Sequence, residues 1–319
     1  MDTTAITSSH ATEEKAPSTP APVIKIDIDG VLAERLPGMS RFIPRAAVNW
    51  LKRTVCQDRL NQLLEENAGL EGADFCRGIF RSLGISFTPV HEERLPDASH
   101  RRVLYVSNHP LGGLDGMALI QWVQQRHGGR VWFVVNDLLT AVKPLEGVFL
   151  PVNKFGRQSR EAIRAVDAAF DGDDPVIMFP AGLVSRLQNV EERGCTVRKV
   201  CDLKWNKMFV GKARQSRRDV IPLFFSGHNS MHFYRMANLR RRLGIKFNFE
   251  MILLPGEMCR MEGASLSVVC GKALPWQSLP RGHETEAAAA RIRSIVYSLA
   301  TTEIQKSNDT LNHDGSENN

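Results

Sequence analysis

The sequence predicts an α/β fold, a mixed sheet flanked by helices, with a helical section ahead of it. Three observations carry this expectation: short apolar runs of strand length recur after residue 85, amphipathic stretches separate most of them, and glycine or proline marks the junctions. Strands alternating with helices imply helices layered on a sheet that is parallel in part.

Residues 1–22 are rich in Thr, Ser, Ala, Glu and Pro without apolar periodicity, and are expected to form a disordered tail. Residues 23–84 make up the helical section. Near its start, Asp27-Ile28-Asp29-Gly30 resembles the D-x-D-G signature of haloacid dehalogenase phosphatases. That chemistry needs the first Asp at a strand end; the Arg- and Trp-bearing helical stretches that follow favour a loop or helix start. Residues 42–55 read as an amphipathic helix carrying Trp50 beside Arg45, Lys52 and Arg53, suited either to packing on its own domain or to lying on an anionic membrane. Helical patches follow at 58–66 and 73–83.

The main domain is expected over residues 85–305. Residues 85–90 read as an edge strand, since Pro89 lacks the N–H a central strand would need. Residues 103–107 form a buried strand, and Met117, Ala118, Leu119, Ile120, Trp122 and Val123 mark a helix that fades at Gly128-Gly129. Further strands are expected at 131–135, 147–152, 176–179, 220–225, 247–254 and 266–270, with a helix at 160–170. Residues 306–319 are polar and read as a second disordered tail.

Composition narrows the function classes. Of 319 residues, 43% are hydrophobic and 24% charged, enough for a sizeable core. A net charge of +6 and pI near 9.1 favour anionic partners. The six cysteines show no C-x-x-C pair or metal-ligand spacing, so free thiols in a reducing cytosol are expected. No apolar stretch approaches the roughly 20 residues that span a bilayer, and no signal-peptide core precedes the domain. A cytoplasmic or surface-bound protein is the expectation.

The stretch around which the chain is organised is Asn108-His109-Pro110-Leu111-Gly112-Gly113-Leu114-Asp115-Gly116-Met117. His109 leaves a strand end and Asp115 stands at a helix start, and the glycines permit the fold-back that brings carboxylate to imidazole. A neutral imidazole oriented by a carboxylate is a general base for an alcohol or amine, here one belonging to the substrate. The alternative is purely architectural, with Asp115 as a helix cap and Gly112-Gly113 as a turn.

Four pieces line up in chain order: Asn108-His109 with Asp115; residues 147–154, Gly-Val-Phe-Leu-Pro-Val-Asn-Lys; residues 179–186, Phe-Pro-Ala-Gly-Leu-Val-Ser-Arg; and residues 220–223, Val-Ile-Pro-Leu. Together they resemble the motif blocks of the PlsC-like glycerolipid acyltransferases over about residues 85–275. The resemblance implies a PlsC-like fold, His109 as general base, Asp115 as its partner, and an acyl thioester of acyl carrier protein or coenzyme A as donor, with no cofactor and no metal. It places Lys154 against an anionic group of a lyso-lipid acceptor, with Arg157 in reserve, and Gly182, Ser185 and Arg186 in the substrate-binding third block.

Two departures qualify it. Five residues separate His109 from Asp115, one more than is usual in the family, and Ala181 stands where the third block carries Glu. These resemble a hemolysin-like bacterial branch that O-acylates lyso-ornithine or lyso-glycine lipids, whose headgroup carboxylate suits the bidentate fork of Arg186. The bland partner for Arg186 is Glu191 or Glu192. A 1-acylglycerol-3-phosphate acyltransferase is the competing enzyme, and a non-catalytic lipid- or nucleic-acid-binding protein the competitor from another class.

Residues 233–243 and 205–212 mix aromatics with cations and suit an anionic membrane surface at least as well as nucleic acid, which is not the expected partner. The resulting location is peripheral, on the inner face of the cytoplasmic membrane. His228 and His232 lie four apart but lack a third ligand in sequence. No G-x-S-x-G elbow or P-loop is present.

Overall fold

Runs such as Val-Leu-Tyr-Val-Ser are too short for a core helix and too apolar for a loop, and they assemble into one seven-stranded sheet. The computed structural model describes residues 25–313 apart from Leu36, Met39, 137–141, 153–159 and Arg193. Its strands are β1 (Ser86–Val90), β2 (Val103–Ser107), β3 (Trp132–Asn136), β4 (Phe149–Val152), β5 (Val176–Met178), β8 (Asp219–Phe225) and β9 (Ser265–Cys270), in the order β1-β9-β8-β2-β5-β3-β4. Neighbours run parallel except β8 and β9, so the sheet is mixed, as expected. β6 (Arg186–Glu192) and β7 (Cys195–Cys201) form a separate antiparallel hairpin that the sequence did not announce.

β2 sits at the centre and is buried throughout. Its side chains alternate between faces, as the two-residue period of a strand requires. Val103 and Tyr105 join a core closed by α3 (Gln57–Glu66), α4 (Gly72–Ser82) and α5 (Gly113–His127); Leu104 and Val106 join one closed by α6 (Arg160–Asp171), α7 (Met208–Gln215) and α10 (Thr285–His313). The N-terminal helices therefore share the core of the sheet. Arg218, fully buried ahead of β8, donates to the carbonyls of Phe170, Val103, Asp174, Ala169 and Gly172, closing the carboxyl end of α6. Burial pushes its pKa down to about 10.

Asp27 lies at the start of helix α1 (Ile28–Arg35), where its carboxylate accepts the Asp29 amide at 3.0 Å; the helix-start reading is the one observed. Residues 45–54 form α2, burying Val48 and exposing Trp50. Three expectations need correction. Residues 247–254 are not a strand: a 3-10 turn at Phe249–Leu253 runs into α9 (Leu254–Arg260), because Pro255 opens that helix and Glu250 is drawn inward by two arginines. In the 205–212 patch, Trp205, Phe209 and Val210 are core residues, and Lys212 pairs with Asp167. Residues 306–313, expected in the tail, continue α10, since no Gly or Pro interrupts the chain before Gly315.

Candidate active site

The motif blocks converge because their strands are parallel: the first and third blocks leave the carboxyl ends of β2 and β5, the second is β4 and the fourth is β8. Ligand sites in open α/β sheets form at that edge. Asn108 fixes the exit of β2 by bonding both backbone groups of Phe225, donating to its carbonyl at 2.9 Å and accepting from its amide at 2.6 Å.

Beyond Asn108 the chain doubles back, and His109 Nδ1 meets Asp115 Oδ2 at 2.9 Å. The turn pivots at Gly112, whose φ of +95° is open to glycine and whose added Cβ would lie 3.0 Å from Leu254. Asp115 is fully buried. The same Oδ2 accepts the amides of Leu111 (2.9 Å) and Gly112 (3.3 Å), while Oδ1 accepts that of Gly116 (2.9 Å). Helix cap and imidazole partner are thus one carboxylate performing both roles. The Gly112 amide therefore points at Asp115. The imidazole stacks on Phe179 with centroids 4.1 Å apart and planes 14° from parallel, and among the described residues nothing hydrogen-bonds Nε2.

The backbone of His109 is held from the other side. Its amide donates to Asp202 Oδ1 at 3.1 Å, and its carbonyl accepts the Ser185 amide at 2.7 Å. Ser185 Oγ donates to the same Asp202 oxygen at 2.6 Å, and Trp205 Nε1 donates to Oδ2 at 2.8 Å. Burial raises the Asp202 pKa, opposed by the bonds from Ser185 and Trp205. Sequence reasoning missed Asp202; an Asp before a Leu-Lys-Trp step carries no recognisable pattern.

The third block is therefore an internal brace. Ser185 is engaged with His109 and Asp202. Arg186 reaches neither Glu191 nor Glu192: its Nη2 pairs with buried Glu250 at 2.8 Å, its Nη1 donates to the Val184 carbonyl at 2.6 Å, and its guanidinium lies over the Phe233 ring at 5.2 Å. Arg240 Nε meets the other Glu250 oxygen at 2.8 Å. Burial lowers the Arg186 pKa, opposed by Glu250. Gly182 turns the chain at φ +63°, donating its amide to the Phe179 carbonyl, and Ala181 packs in the core. Lys154 and Arg157 lie outside the described residues. The His228 ring bonds the Asn229 carbonyl in a loop, whereas His232 is exposed on α8 (Met231–Arg242).

Beside the dyad lies an apolar cavity of about 260 Å³. Gly112, Gly113 and Gly116, on the turn and helix that carry Asp115, line it together with Leu63, Ile79, Met117 and Phe149. Gly116 is required: a Cβ there would stand 2.9 Å from the Phe133 ring. Such a space suits a hydrocarbon chain.

The family model described as Acyltransferase matches residues 30–301. The chain is 38% identical to the lyso-glycine lipid O-acyltransferase of Bacteroides thetaiotaomicron over 86% of its own length and 97% of that protein's. It is also 38% identical to the Phocaeicola vulgatus protein of the same name, over 87% and 96%. Among solved structures, the 1-acyl-sn-glycerophosphate acyltransferase PlsC of Thermotoga maritima matches with 14% identity and a TM-score of 0.44, covering 86% of this chain and 93% of that one.

Proposed function

The chain belongs to this acyltransferase family, and on that premise we propose that it transfers a fatty acyl group from a thioester, of acyl carrier protein or coenzyme A, to the hydroxyl of a lyso-aminolipid of the lyso-glycine class. The observation that carries the reading is the His109–Asp115 pair on the same turn whose Gly112, Gly113 and Gly116 line the apolar cavity; the relatives' names supply the acceptor class.

Asp115, accepting at Nδ1, selects the tautomer in which Nε2 is the base. Nε2 takes the proton of the acceptor hydroxyl as its oxygen attacks the thioester carbonyl. The tetrahedral intermediate collapses, the C–S bond breaks, and the same nitrogen returns the proton to the departing thiolate. The buried carboxylate stabilises the imidazolium that exists between the two steps. The acyl chain lies in the cavity. Because Arg186 is held by Glu250, the headgroup carboxylate is assigned to Lys154 or Arg157.

Lysophosphatidic acid is the second acceptor to consider. Ala181, packed in the core where many relatives of the wider family carry Glu, weighs against it. The membrane is the source of the acceptor, approached from its surface: among the described residues no helix is long and apolar enough to cross a bilayer.

The test is transfer by purified protein from both thioesters to lyso-glycine lipid, lyso-ornithine lipid and lysophosphatidic acid, read by mass spectrometry beside His109→Ala. Product from the aminolipids alone, abolished by His109→Ala, is expected. Turnover by the His109→Ala protein would overturn the mechanism, and preference for lysophosphatidic acid would overturn the acceptor.

A further inference from the structure

Exposed apolar surface on this protein is concentrated in one excursion of the chain. Between β8 and β9 the backbone leaves the sheet, forms α8, turns through residues 243–248 and returns through the 3-10 turn to α9. Of twelve large apolar side chains exposed among the described residues, six fall here: Met231, Leu239, Leu243, Ile245, Phe247 and Ile252. Phe247 is 71% exposed and Leu243 63%. Single exposed leucines need no explanation, but six within one short excursion do.

α8 is two-faced. Phe233, Tyr234 and Ala237 are buried, the first two in a small separate core with Val184, Leu187 and Leu253. Met231, Arg235, Leu239 and Leu243, each four residues from the last, share the outward face. The cations are distributed to match. Residues 231–253 contain Arg235, Arg240, Arg241, Arg242 and Lys246 against a lone acid, Glu250. Glu250 is buried between Arg186 and Arg240, so the outer surface offers Arg235, Arg241, Arg242 and Lys246 around the apolar residues.

The excursion is also anchored to the active site at both ends. Asn229, just ahead of α8, donates to the Pro110 carbonyl of the catalytic turn at 3.1 Å, and Leu254, at its far end, packs against Gly112. Between them, Glu250 holds Arg186, the neighbour of Ser185. Whatever the excursion docks on is thereby fixed in orientation relative to His109.

We propose that residues 231–252 are a docking surface for an anionic lipid bilayer, with Leu239, Leu243, Ile245, Phe247 and Ile252 entering the headgroup boundary and Arg235, Arg241, Arg242 and Lys246 meeting lipid phosphates. Apolar side chains ringed by cations are the chemistry of an interfacial element. An RNA or acidic protein surface matches the charges and leaves the apolar residues unexplained. The inference deepens the lipid-acceptor reading, since it names the surface through which that acceptor is reached, and its test does not require turnover.

The full-length protein is sedimented with vesicles of phosphatidylcholine alone and of phosphatidylcholine mixed with phosphatidylglycerol, beside Leu243→Ser/Phe247→Ser, Arg241→Glu/Arg242→Glu and, on α2, Trp50→Ser. The parent protein is expected to bind the mixed vesicles and to leave them as salt rises. Each double variant is expected to lose about tenfold or more in partitioning, from the burial of two apolar groups or the attraction of two cations. Transfer to acceptor dispersed in detergent stays at the parental rate, while transfer to acceptor in vesicles falls. Undiminished binding by both double variants, loss confined to Trp50→Ser, or oligonucleotide binding stronger than vesicle binding and sensitive to the same substitutions overturns the proposal. Vesicle binding that behaves as described, without transfer to any acceptor, would overturn the acceptor reading and leave the docking surface standing.

Discussion

Asp202 governs His109 through the main chain: one carboxylate oxygen accepts the His109 amide at 3.1 Å and the Ser185 hydroxyl at 2.6 Å, while the Ser185 amide closes the triangle on the His109 carbonyl. The imidazole is thus placed by its own peptide as well as by its ring partner. Asp202→Ala strands three donors, His109 N–H, Ser185 O–H and Trp205 Nε1–H, and is expected to cost about 3 kcal/mol or more of folding stability in urea titration. Ser185→Ala removes one donor, costing about 1 kcal/mol, and should lower kcat with little change in KM, because it loosens the base without touching the acceptor. An unchanged kcat in Ser185→Ala would show that the brace is irrelevant to the reaction.

Asp115→Asn separates the two roles of that residue. The amide oxygen at the Oδ2 position can still accept the Leu111 and Gly112 amides, so α5 keeps most of its cap, and the nitrogen left facing the Gly116 amide costs about 1 kcal/mol. The neutral amide no longer stabilises the imidazolium of the proposed reaction, and transfer should fall by about 10²–10⁴. Initial rates beside thermal melts check both halves; loss of folding equal to loss of rate would return Asp115 to a capping role alone.

The cavity sets a length. Ile79 lines it, and under the proposed reading Ile79→Trp is expected to shift preference toward shorter acyl chains while sparing transfer of the shortest. A series of thioesters of graded length measures it, and a uniform fall across the series would mean that the chain lies elsewhere.

His127 should shape the acid limb of stability. Its ring Nδ1 lies 2.7 Å from the Ala98 carbonyl and its Nε2 lies 2.7 Å from Tyr105 Oη. Burial, the largest cause, holds its pKa below the ordinary 6.5. As pH drops below 6.5 the unfolded chain takes up a proton that the folded chain refuses, so stability declines from 6.5 down to the folded pKa and is flat above. His127→Gln should flatten that slope in denaturant titrations at stepped pH; a slope as steep as the parent's would assign the acid limb to other groups.

What the sequence disclosed follows from how local the signal is. β2, the His109 turn and α5 are contiguous, and their strand-turn-helix order is written in apolar periodicity and glycine placement. β1 was legible as an edge strand from Pro89. Asp202 stands 93 residues from His109 and Glu250 stands 64 from Arg186. No local pattern announces either partner, since only the fold brings them together. Arg186 drew attention to Glu191 and Glu192 by proximity in sequence, yet those residues continue into the hairpin, where Glu191 accepts from the Thr196 hydroxyl. Residues 247–254 mimicked a strand because Phe247-Asn248-Phe249-Glu250 alternates apolar with polar residues and an apolar run follows; the buried pairing of Glu250 decided otherwise.

Phe179 covers one face of the His109 ring and Asp115 occupies one of its nitrogens, which leaves the imidazole a single doorway. Under the proposed reaction, the proton collected from the acceptor and the proton handed to the departing thiol must both pass through Nε2, in succession and without rotation of the ring. Donor and acceptor must therefore crowd the same atom from opposite sides of one carbonyl, and a water molecule can replace the acceptor only by standing in that same narrow place. Wasteful hydrolysis of the donor is limited by how completely the lipid hydroxyl fills the doorway, so fidelity here is a matter of occupancy.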